Sequence, residues 1–106
     1  MVERLPLALL TLFLWHAATV SAQETLKQAM DMCTGGEDDA TIITGCNYIL
    51  DSKTPVTVYL EVTARVQRGG VYARAGDYDR AMADYDEAID LAPELAPLYH
   101  LRGVAW

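Results

Sequence analysis

Apolar residues recur along the chain in blocks at helical spacing, and glycine, proline and acidic residues separate the blocks. In the first block Leu26, Ala29 and Met30 stand at i, i+3 and i+4, which predicts a helix over 23–32 closed by Gly35-Gly36. Glu37-Asp38-Asp39 then puts acid where a helix N-terminus is positive, and Ile42, Ile43, Cys46, Ile49 and Leu50 carry a second helix to Asp51. Thr54-Pro55 reads as the cap and first residue of a third helix. The following stretch, VTVYLEVT over 56–63, is β-branched and alternating, and in isolation reads as a strand. It has no second strand to pair with, and Val58, Val62 and Val66 fall at i+4 steps, so helix is the better reading. Asp77 caps a fourth helix from Tyr78 to Leu91, which Pro93 closes. Residues 95–106 predict one more helix, apolar on much of its circumference through Leu98, Leu101, Val104, Ala105 and Trp106.

Within this frame the small and aromatic residues follow a fixed order: Gly69, Tyr72, Gly76, Tyr78, Ala81, Tyr85, Ala88, Pro93. Arg68-Gly69-x2-Tyr72 then recurs 34 residues later as Arg102-Gly103-x2-Trp106. Gly69 and Ala81 are small enough for two antiparallel helices to approach closely, with Tyr72 and Tyr85 as bulk beside the contact. Gly76 separates the helices. The pattern resembles the tetratricopeptide repeat, a 34-residue helix–turn–helix unit. The resemblance implies an all-α fold: an array of about two and a half antiparallel hairpins in a right-handed superhelical solenoid. Its expected parts are a degenerate hairpin over 23–53, a full repeat over 54–93 and the first helix of a further repeat over 94–106. It also implies a non-catalytic scaffold that binds a protein or peptide. Opening helices of such repeats line a concave groove, and by register Val66, Gly70, Ala73, Arg74 and His100 face it, beside Thr63 and Val104. Lysines and asparagines that clamp a terminal carboxylate in one type of groove are missing from these positions, so Arg74 is the one fixed charge expected there.

In the same register Cys33 stands where Tyr72 stands and Cys46 where Tyr85 stands, on facing helices of the first hairpin. Residues 1–22 frame how this pair is read. Arg4, the apolar run Leu5–Ala18 and the small residues Val20-Ser21-Ala22 read as a secretory signal peptide cleaved after Ala22. The run is shorter than the roughly 18 residues a spanning helix needs, though retention as an anchor is the rival reading. In an exported chain an even cysteine pair implies a disulfide. Free buried thiols and a redox or metal role are the alternatives, and thirteen residues of separation fit no C-x-x-C motif.

The 106-residue chain carries a net charge of −7, which excludes nucleic acid and anionic membrane surfaces as natural partners. No cofactor, metal or catalytic set is expected. Asp77, Asp79, Asp84, Asp86, Glu87 and Asp90 read as a solvated acidic face. Arg102 is expected to cross to Asp84 or Asp86, whereas Arg68 finds Gly45 in the matching place, so an ion pair and a ligand carboxylate remain equal readings for it. The apolar end at Leu98–Trp106 suggests docking onto another chain, a shortened array, or a simple cap. Together these place a binding module in the periplasm or outside the cell, with a self-associating module as the alternative.

Overall fold

A computed structural model describes residues 23–95 together with positions 100 and 103. It is an antiparallel array of helices: α1 over 23–35, α2 over Asp39–Asp51, α3 over Val58–Arg74 and α4 over Tyr78–Leu91. No strand occurs among the described residues. The signal segment 1–22, the pairing of Arg102 and the apolar face of Leu98–Trp106 lie outside them.

Local chemistry sets the helix ends. Within the acidic start, Asp38 caps α2: its carboxylate accepts the Thr41 N–H at 2.7 Å, which holds the Asp38 carboxyl below its usual range. The expected start of α3 at Thr54-Pro55 is wrong by three residues. Thr54 gives its N–H to the Ser52 hydroxyl at 3.0 Å, and Thr57 caps α3 by accepting the Leu60 N–H at 3.1 Å. The non-helical link brings Val56 against the first core cluster. Past the link the β-branched stretch is helical, and the Thr63 hydroxyl bonds back to the Tyr59 carbonyl at 2.8 Å. Gly76 closes α3 at φ +79°, where the Asp77 N–H reaches the Tyr72 carbonyl and the Gly76 N–H reaches that of Ala73. That is a Schellman turn, and its left-handed φ favours glycine at this position. Asp77 then caps α4.

Three apolar clusters hold the array. Ala29, Cys33, Cys46, Ile49 and Ala64 join α1, α2 and α3. Val62, Ala88, Ile89 and Ala92 join α3 to α4 nearer the start of α3, and Ala81 with Tyr85 joins them nearer the turn, flanked by Tyr72 and Ala73. Met30 was expected on the inner side of α1 but is 38% exposed. The core positions step Leu26, Ala29, Cys33, which leaves Met30 at the edge of the stripe.

Two glycines mark close approaches of different kinds. A Cβ at Gly69 would stand 2.6 Å from the Tyr85 ring, so the space there belongs to an aromatic edge and not to Ala81 alone. Gly45 faces backbone: a Cβ would stand 2.6 Å from the Ala29 carbonyl oxygen and 2.6 Å from the Cys33 nitrogen. One residue further on, Cys46 is disulfide-bonded to Cys33, with Cα atoms 4.7 Å apart and both side chains fully buried. Gly45→Ala is therefore expected to destabilise. The methyl must push α1 off α2 while the disulfide holds them. Overpacking of roughly 1–3 kcal/mol or more outweighs the helix propensity alanine brings, about 1 kcal/mol. Urea unfolding of the oxidised protein checks it, and a stabilised variant would show that the helices have room to spare.

Candidate functional site

An apolar groove runs along one side of α3. Val58, Val62 and Val66 form a ladder at four-residue steps, with Tyr59 and Thr63 beside it. The facing wall comes from the end of α4 and the turn after it: Ala92 and Leu95, with Glu94 and Gln67 as polar neighbours. The groove encloses about 420 Å³. Its floor is firm, because Val62 is buried against Ala88, Ile89 and Ala92. Its rim is bare: Val58 is 54% exposed, Tyr59 80% and Leu95 41%. Such a trough can seat apolar side chains of a second segment, with Glu94 favouring a cation at one edge.

The residues expected in the groove divide. Val66 and Thr63 line it. Gly70 lies farther along α3, where an added Cβ would stand 3.5 Å from the Arg74 guanidinium and 4.0 Å from the Tyr85 hydroxyl. Ala73 packs against the Ala81–Tyr85 cluster. Arg74 is not a groove charge: it donates to Asp39 at 2.9 Å, tying the end of α3 to the start of α2. His100 is exposed. The reason is rotational. The face drifts around α3 over these four-residue steps: Val58, Val62 and Val66 lie beside the end of α4, while Gly70 stands near the Tyr85 hydroxyl and Arg74 reaches Asp39 of α2. The stripe itself was visible in the sequence, but Leu95 and Ala92 join it only through the fold of the turn after α4.

The polar residues form a separate system across α2, α3 and α4. Arg68 grips Asp84 through two bonds of 2.9 and 2.7 Å and donates a third to the Asn47 side-chain oxygen at 2.9 Å. The hydrogen bond to Asp84 outweighs partial burial and raises the Arg68 pKa above its ordinary value. Arg65 approaches Asp84 at 3.7 Å and also meets Glu87 at 3.3 Å and Glu61 at 3.4 Å. This resolves the two readings of Arg68 as an internal pair. It also corrects the acidic face, since Asp84 is only 3% exposed. Asp84 follows Ala81 by three residues and precedes Ala88 by four, so the helical period already aimed it inward. Asn47, the third partner, carried no signal in the sequence. Arg68 and Arg80 lie 5.9 and 5.7 Å from the centroid of the Tyr72 ring. Burial pushes the Tyr85 hydroxyl up. Among the described residues no three His, Cys, Asp or Glu side chains are placed to hold a metal. No helix among them is long and apolar enough to cross a membrane.

Comparison with known proteins adds one match. A family model described as tetratricopeptide repeat covers residues 62–95, from early in α3 to the groove wall at Leu95. No curated protein and no solved structure matches the chain.

Proposed function

The chain is a tetratricopeptide repeat protein through residues 62–95, and on that premise we propose that it is a non-catalytic scaffold of the cell envelope that docks a protein or peptide through the groove beside α3. The observation that carries this is the bare rim of Val58, Tyr59 and Leu95 over a packed floor at Val62. A surface of this kind costs free energy in water and regains it when a partner's apolar side chains cover it. The partner's contacting segment is apolar, with a basic residue opposite Glu94. Residues 1–22 support the location, as a signal peptide cleaved after Ala22 that delivers the chain to the periplasm or beyond.

A photo-crosslinking residue placed at Tyr59, compared with one at Tyr78, tests the reading in cells. Tyr78 is 54% exposed and stands at the start of α4, away from the groove. The expected result is a discrete adduct from position 59, none from 78, and loss of the first when Leu95→Glu is added. Adducts that form equally at both positions, or that ignore Leu95, would sink the reading.

A second reading has one observation in its favour. The apolar residues Leu98, Leu101, Val104 and Trp106 follow the groove wall directly, so the surface could serve self-association of the chain in place of a foreign partner.

A further inference from the structure

The groove depends on residues that disfavour the helix they stand in. Val58, Val62, Thr63 and Val66 are β-branched, and the stretch over 56–63 alternates like a strand. Packing has to hold them helical. Two clusters do so, at different levels of α3. The α4 side takes hold at Val62 and Val66. Ahead of Val62 the packing comes from the opposite side, where Val56 and Leu60 lie against the disulfide cluster and Ala64 is buried within it. Val58 and Tyr59, at the open end of the groove, stand beside this second anchor and are themselves exposed. Their place is therefore fixed from behind, by the cluster that Cys33 and Cys46 close.

We propose that the Cys33–Cys46 disulfide is a redox gate on the groove: with both cysteines as thiols, Val58–Glu61 leave the helix and the α3 rim is lost, while the α4 side keeps its fold. Closing the pair takes one electron and one proton from each thiol and passes them to a partner disulfide, which becomes a dithiol. A dithiol reductant reverses the exchange. Both cysteines are fully buried, so the reductant must wait for α1 to lift from α2, and a state set on folding persists. Where disulfides form, the groove is complete; in a reducing compartment its apolar rim is withheld from chance partners. The gate rests on the binding reading above for its functional meaning; the coupling itself is read on the isolated protein.

Hydrogen exchange tests the coupling on three forms: the oxidised protein, the protein reduced in denaturant and refolded with dithiothreitol, and a Cys33→Ala, Cys46→Ala variant. The Leu60 and Glu61 amides bond to Thr57, and those of Val62 and Thr63 close the first helical turn. These four should exchange about tenfold faster in both forms that lack the disulfide. Amides over 85–91 of α4 should change by less than about twofold, which shows that the fold survives there. Unchanged protection over 60–63 overturns the proposal. So does a loss that runs equally through α4, since the disulfide would then support the whole array and gate nothing. In cells, the adduct from position 59, normalised to the amount of protein, should fall several-fold in the double-alanine variant; an undiminished adduct overturns the gate. If the exchange change is seen but position 59 gives no adduct even in the oxidised protein, the coupling stands and the partner-binding reading falls.

Discussion

Asp84→Ala is expected to cost roughly 3–5 kcal/mol, enough to unfold a small helical array near body temperature. The carboxylate is 3% exposed and takes two hydrogen bonds from Arg68, with Arg65 close behind. Its removal leaves the Arg68 guanidinium with the neutral Asn47 alone and takes one of three acidic partners from Arg65. The loss is mainly the penalty for the stranded Arg68 cation and not the net worth of the pair, which replacement of both partners by apolar residues would show to be small. Asp84→Asn separates charge from shape. It keeps an acceptor for Arg68 but abolishes the ion pair, and should lose about 1–3 kcal/mol. Asp90→Ala on the exposed side of the same helix should stay within about 0.5 kcal/mol. Urea unfolding followed by circular dichroism ranks the three. A loss at Asp84 no larger than at Asp90 would mean that the Arg68 clamp contributes nothing.

Removal of the Cys33–Cys46 disulfide is expected to be nearly as damaging, at roughly 3 kcal/mol for a loop of this length in the chain-entropy model. The effect should be uneven. The sulfurs lie in the cluster of Ala29, Ile49 and Ala64, whereas the two clusters between α3 and α4 contain no residue of α1 or α2. With both cysteines replaced by serine, α1 and α2 should lose exchange protection first and the α3–α4 hairpin should keep most of its own. Arg68 reaches Asn47 on α2, so some loss will pass to α3 through that bond. Unchanged protection over 23–51 in the reduced protein would contradict this account.

Much of the array was readable from residue order because its punctuation is local. Gly76, Asp77 and Pro93 act on their own turn, and each ends or begins a helix where expected. The cysteine pair was readable because repeat spacing placed both on facing helices. What was lost depended on rotation or on a rival for the same local role. Thr54 and Thr57 are both capping residues, and the fold uses Thr57, with Val56 packed against the first cluster. Asp84 was grouped with its acidic neighbours by charge, although its place between Ala81 and Ala88 follows the buried stripe. Gly45 was treated as a mere gap opposite Arg68, while its use is to let α1 and α2 backbones nearly touch. Arg74 was assigned to the groove because its actual partner, Asp39, sits 35 residues away on another hairpin.

The three-way hold of Arg68 has a consequence for building with this module. In repeat register Asp86 occupies the place of Asn47, just as Tyr85 occupies that of Cys46. At the natural junction the arginine meets a neutral amide behind it and a carboxylate beside it. Tiling residues 62–95 end to end would replace every such amide with a second carboxylate. A synthetic rod of this kind would be cemented at each joint by full charges, and its stiffness would soften in brine where the native joint holds firm.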